Sequence, residues 1–207
     1  MRKATKTVAT WFGLAAGIAG AGHGYYEILQ GNTRPEGLVI NSIGPPCVPE
    51  EVWNGCEPAM TIVPNYLVTG VLAVIIGLLV LIWSLAFVGR KNGGVILFLL
   101  SVALLLFGGG FFPPLIGIVG GVAGIKINKP IAGVKTSNIL RLAARLWPWP
   151  LVIFLVWVFG QIPVGYFFND FMQSIMYFGM LLIFITLPQS VYSAYAHDIY
   201  SASQVVR

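Results

Sequence analysis

His23 and Glu27 are the residues whose types and spacing most invite chemistry. Four apart on a helix, they stack on one face. A His–Glu pair at that spacing suits two metal ligands or an acid–base pair. A metal site needs a third ligand, for which Glu50, Glu51 and Glu57 lie nearby in the chain, whereas His197 is expected at the opposite end of the fold. Three readings follow for the pair: metal binding or catalysis, the lining of a solute vestibule, or a plain tie between a loop and a helix end.

Cys47 and Cys56 enclose eight residues, Val-Pro-Glu-Glu-Val-Trp-Asn-Gly, within a hydrophilic segment, 30–63. That segment holds five of the 13 prolines and four of the seven acids, so it is the one stretch built to face water. Redox cysteines usually sit closer, as Cys-x-x-Cys. A structural disulfide on the oxidising side of a membrane is therefore expected. Closing a loop of about ten residues would stabilise it by about 2–3 kcal/mol, which matters to a segment too short to build its own core. The segment is expected to lie over the helix ends as a lid, pinned by the bridge and by Trp53.

Gln161, two residues before Pro163, is the remaining polar group inside an apolar run. Pro163 has no N–H for the carbonyl of Phe159, and Gln161 is placed to compensate locally. His23, Glu27 and Gln161 are thus the candidate substrate-lining residues. No phosphate-binding loop, nucleotide fingerprint, Ser/His/Asp set, zinc spacing or haem signature is present. No catalytic residue, resident metal or cofactor is assigned, and enzyme activity ranks below binding or scaffolding.

The elements that must position these residues follow from composition. Of the 207 residues, 57% are apolar and 9% charged, against about 25% charged in an average soluble domain. A soluble enzyme, a disordered tail and a nucleic-acid module are excluded. Crossing the hydrocarbon core takes about 20 apolar residues. Runs at about 8–26, 66–88, 93–110, 113–127, 149–168 and 172–193 give six spans. The first is the weakest, being rich in Gly and Ala. The third and fourth are divided at Gly108-Gly109-Gly110-Phe111-Phe112-Pro113-Pro114, and the short fourth run also fits a re-entrant segment.

Lys and Arg in short loops set the orientation. With the N-terminus inside, Arg34 is the single basic residue outside, and the other eleven are cytoplasmic. The net charge of +5 is thus an orientation signal, and nucleic acid drops out as a partner. Arg2, Lys3 and Lys6 before the first run, with Ala19-Gly20-Ala21 within it, also fit a cleaved signal peptide.

Small residues mark helix-packing faces. Gly13, Gly17, Gly20 and Gly24 form a stripe on the first span, into which Glu27 falls, with His23 on its flank. Gly117 and Gly121 do the same for the fourth span, and Gly70, Gly77 and Ser84 for the second. Between spans four and five, Ser137 is expected to cap a helix over about 137–147. Ile139, Leu142 and Leu146 share one side of it, and Arg141 and Arg145 the other. It reads as an interfacial helix with its arginines near anionic head groups.

The expectation is an all-α integral membrane protein: a six-span transmembrane helix bundle in the cell membrane, as a single polytopic domain with both termini cytoplasmic. A disulfide-pinned extracytoplasmic loop joins spans one and two. Its partners are the lipid bilayer and either a membrane-protein partner or further copies of itself. Cys-x8-Cys after a first span resembles claudin-like four-span proteins; Trp53 between the cysteines and the lack of a preceding Gly-Leu-Trp depart from them, and no role is carried over. The six-span plan also resembles the substrate-capture components of vitamin uptake systems in architecture alone. Two functions follow: a small-solute permease or membrane subunit of a transporter, and a non-catalytic accessory or scaffold subunit. A metal-dependent membrane enzyme using His23 and Glu27 ranks third.

Overall fold

The computed structural model describes residues 1–43, 54–131 and 137–205. In chain order these form α1 (Lys3–Leu29), β1 (Val39–Asn41), β2 (Pro58–Met60), α2 (Tyr66–Ala86), α3 (Gly93–Leu106), α4 (Phe112–Gly124), α5 (Asn138–Leu146), α6 (Trp149–Phe167) and α7 (Asn169–Val205). Local chemistry accounts for several boundaries. Asn65 caps α2 by accepting from the Val68 amide at 3.0 Å, and Ser137 caps α5 by accepting from the Leu140 amide at 3.2 Å. Pro113 and Pro114 occupy the first turn of α4, where a missing N–H leaves no intrahelical bond unmade.

Three of the described helices, α2, α6 and α7, are long and apolar enough to cross a membrane. The expected runs 93–110 and 113–127 are realised as α3 and α4, apolar helices of only 14 and 13 residues. Each is about 20 Å long, against a hydrocarbon core of about 30 Å. A turn, 107–111, joins them, and the β-hairpin docks on it. The Gly108 amide donates to Met60 O, and the Ile62 amide to Leu106 O, at 2.9 and 3.0 Å. The expected sixth run, 172–193, lies inside a 37-residue helix that continues through Pro188. Its extension has a packing reason: Ala196 and Ile199 are buried against Leu140, Ala143 and Ala144 of α5.

α1 is the centre of the structure. It packs along its length on α2, against α4 and, more lightly, against α7, burying Val8, Ala9, Phe12, Ala15 and Ala16. A helix walled by protein needs smooth sides more than apolar ones, which explains its Gly/Ala composition. Gly17 and Gly24 meet Gly77 and Gly70 of the antiparallel α2 backbone to backbone. A β-carbon on Gly17 or on Gly24 would stand 2.6 Å from the carbonyl oxygen of Gly77 or of Gly70. Gly13 faces Ser84, Gly20 faces Leu104, Gly117 faces Ser101, and Gly121 lies on the Phe98 backbone. Such close approach is how helices gain packing energy where water supplies no driving force between them.

The α6–α7 pair is attached differently. Phe154 packs against Phe12 with ring centroids 4.8 Å apart and the rings tilted by 54°, at the half of α6 nearest α5. The other half exposes Tyr166, Phe167, Phe168, Tyr177 and Phe178. An apolar cavity of about 440 Å³ lies between the two helices, lined by Val156, Trp157, Gln161 and Met172 among others.

The far end of α7 returns to the start of the chain. Asp198 accepts from the amides of Ala4 and Thr5 at 3.0 and 2.8 Å and from the Thr5 hydroxyl at 2.8 Å. The Arg2 amide donates to Ile127 O at 2.9 Å. Residues near both ends of the chain therefore share one end of the bundle with the α2–α3 turn and α5, and the β-hairpin caps the opposite end.

Candidate functional site

The hairpin end of the bundle buries five polar side chains, His23, Glu27, Ser42, Thr61 and Thr69. β1 and β2 pair antiparallel, with Ile40 opposite Ala59 and both buried. This places the residues flanking the hairpin over the last two turns of α1. Gln30 holds it there, its side-chain amide donating to the carbonyls of Asn41 and Ser42 at 2.9 Å each. Thr61, just past β2, shares a 2.6 Å hydrogen bond with Thr69 of α2.

Beneath this cover, Glu27 is 0% exposed. Its Oε1 accepts from the Ser42 hydroxyl at 2.7 Å, while its Oε2 is buried without a partner among the described residues. Among the described residues no cation meets the carboxyl, and it lies in the last turn of α1, where the helix dipole disfavours negative charge. Glu27 is one residue beyond the expected first span, and burial holds it well above the usual carboxylate range, offset in part by the Ser42 bond. The protonated, neutral form is thereby favoured.

His23, one turn earlier, is 5% exposed. Its Nε2 stands 3.3 Å from Oε2 of Glu57, whose side chain reaches solvent, and its Nδ1 is buried without a partner. The α3–α4 turn closes the side of the site. Gly108 and Gly110 lie in the left-handed region, φ +88° and +79°. A β-carbon on Gly108 would collide with the Glu27 carboxyl, and one on Gly110 would fall 2.6 Å from His23 Nε2. Glycine is required there twice over, by conformation and by the nearness of the acid and the imidazole.

The structure brings His23 and Glu27 together with Ser42 and Glu57. Gln161 is elsewhere, on α6 beside the apolar cavity, so the three candidate substrate-lining residues do not form one site. Among the described residues, no group of three His, Cys, Asp or Glu side chains is placed to hold a metal ion. Glu50, Glu51, Trp53 and Cys47 lie outside the described residues; Cys56 is described, donating its amide to Ile43 O at 2.8 Å. Arg141 and Arg145 are exposed on α5, beside an equally exposed Ile139, Leu142 and Leu146.

Sequence reasoning passed over Ser42, Gly108 and Gly110. Ser42 carries no local signal, since only the hairpin register delivers it to Glu27. The glycine run was legible as a turn, but not as the wall of a site. Chemically, the arrangement offers a neutral acid, an imidazole and a solvent-reaching carboxylate in series from the interior to the surface. Comparison of the chain with protein-family models, with curated proteins and with solved structures finds no match.

Proposed function

We propose that this chain is a multi-pass membrane protein that binds and passes a small, uncharged or weakly polar solute, as a permease or as the membrane subunit of a transporter. The observation that carries this reading is Glu27, a fully buried carboxyl with an oxygen left unpartnered beneath a folded cover. Burying an unsatisfied polar atom costs about 1–3 kcal/mol. A side chain that only tied the hairpin down would do better as a smaller or apolar residue. In this proposal the hairpin lifts, Glu27 and His23 meet the solute, and Glu57 marks the mouth.

The membrane arrangement belongs to the same proposal. α1 to α4, α6 and α7 cross six times, with the hairpin outside and both termini cytoplasmic. Gathering of the basic residues at the end opposite the hairpin supports this sidedness. α1 is retained in this proposal, because removing it would take out the helix on which α2 and α4 pack. A Cys47–Cys56 bridge pins the outer segment.

The test is osmotic. Vesicles containing the purified protein are shrunk in glycerol, urea or erythritol, and their reswelling is followed by light scattering. Reswelling at least several-fold faster than in empty vesicles for one solute, lost in Glu27→Gln, is the expected result. Reswelling equal to empty vesicles for every solute defeats the transport reading. The second reading, an accessory subunit, draws on the exposed aromatic half of α6 and α7. It expects a stoichiometric partner polypeptide, or further copies of this chain, when the protein is gently extracted.

A further inference from the structure

Arg2 is 5% exposed, yet its Nε and Nη1 are buried without a hydrogen-bond partner. Among the described residues its one side-chain hydrogen bond is a long one, 3.5 Å from Nη2 to Pro130 O. Among the described residues no ion pair engages it, and the adjacent acid, Asp198, already accepts three bonds from Ala4 and Thr5. A guanidinium carries five N–H donors in a fixed fork that matches phosphate and carboxylate oxygens. Most of that capacity is unspent here.

A second cation approaches the same aromatic ring as Arg2. Arg2 Cζ lies 4.6 Å from the centroid of the Tyr195 ring, and Lys126 Nζ lies 5.1 Å from the same centroid. Lys126 is exposed and Tyr195 half-buried, whereas Arg2 is almost fully covered. Tyr195 adjoins the stretch of α7 that packs on α5. On α5, Leu140, Ala143 and Ala144 face α7, which leaves Ile139, Leu142 and Leu146 bare beside the exposed Arg141 and Arg145. An apolar strip beside a basic strip is the pattern of a helix at the boundary between acyl chains and head groups.

We propose that Arg2 and Lys126, gathered on Tyr195, bind a phosphate group, and that an anionic phospholipid of the inner leaflet supplies it. Unpartnered donors of Arg2 take the phosphate oxygens, Lys126 adds a mobile charge at the mouth, and the acyl chains lie along Ile139, Leu142 and Leu146. The lipid then clamps the start of α1 to α4 and α7. This rests on the membrane placement proposed above. Extraction of the membranes with alkaline carbonate tests that placement separately, since release of the chain would fail it whatever the lipid result.

The experiment is native mass spectrometry of the purified full chain in zwitterionic micelles, titrated with phosphatidylglycerol or phosphatidylcholine. Phosphatidylglycerol is expected to bind in preference, and Arg2→Gln/Lys126→Gln to weaken it about tenfold or more. Arg141→Gln/Arg145→Gln removes the same charge from the exposed strip and is expected to change binding less than about twofold. If the first double variant does not fold, the exposed Lys126→Gln alone is expected to weaken binding about threefold. Equal binding of the two lipids, or equal losses in the two double variants, would overturn the proposal. Displacement of phosphatidylglycerol by a comparable concentration of inorganic phosphate would overturn the lipid as source and assign the site to a soluble phosphate compound.

Discussion

Asp198 and Glu27 are both buried carboxyls at an end of α1, and they are treated in opposite ways. Asp198 meets the N-terminus of α1, where free amides and the helix dipole welcome negative charge, and it accepts three hydrogen bonds. Glu27 sits in the last turn, where the dipole opposes it, and it has one bond and an unpartnered oxygen. Asp198 therefore works as a clasp between distant parts of the chain. Burial favours the neutral form of Glu27 and leaves one of its oxygens without a partner among the described residues.

The largest effect expected from this contrast is at the clasp. Asp198→Ala strands two amides and a hydroxyl at a buried helix start and should cost about 3 kcal/mol. It should appear as a lowered melting temperature in detergent, with the β-hairpin end still protected from proteolysis. Gly108→Ala comes next, at about 1–3 kcal/mol, because it forces a left-handed residue to carry a β-carbon into the Glu27 carboxyl. Its loss should shrink when it is combined with Glu27→Ala, a coupling that a double-mutant melting cycle would read. Glu27→Gln should leave the melting temperature unchanged or raised. A fall comparable to that of Asp198→Ala would erase the distinction between the two ends.

The pH dependence follows with its sign. A carboxyl whose folded-state pKa is raised binds its proton more tightly in the native state than in the unfolded one. Its contribution to stability is complete below the ordinary carboxylate pKa of about 4.3, and is lost as pH rises through the raised value. Melting temperature followed upward from about pH 5 should therefore decline in the wild type, and this component should be missing in Glu27→Gln. The smallest effect is at Ser42. Its hydroxyl favours the ionised form, so Ser42→Ala should move Glu27 deprotonation to still higher pH, read in the same titration.

How much of this was legible in the sequence depends on range. Helical character and the span-length runs of α2, α6 and α7 follow from apolar content, which a bilayer demands locally. The Ser137 cap, the turn at Gly108–Gly110 and the proline start of α4 were likewise readable from a few neighbouring residues. Helix lengths were harder. α3 stops at Leu106, where the glycine turn is tied to the hairpin by the Gly108–Met60 and Ile62–Leu106 hydrogen bonds, and α7 runs past 193 because α5 and Thr5 receive it. Both are long-range facts.

The site divides along the same line. His23 and Glu27 stood out because i, i+4 spacing is local. Ser42 and Glu57 join them only through strand pairing, and Gly110 only through the return of α4. Gln161 illustrates the converse: a polar residue in an apolar run, grouped with His23 and Glu27 as a candidate substrate-lining residue, lies apart from them on α6 beside the apolar cavity.

The most direct test of the central claim is infrared difference spectroscopy of the purified protein, comparing the protonated-carboxyl C=O band in wild type and Glu27→Gln at about pH 6. An ordinary glutamate, with a pKa of about 4.3, is ionised there. A protonated-carboxyl band is expected in the wild type that disappears in the variant and, on raising the pH, in the wild type as well. An identical spectrum in the two proteins would mean that Glu27 is already ionised, and the contrast with Asp198 would fall.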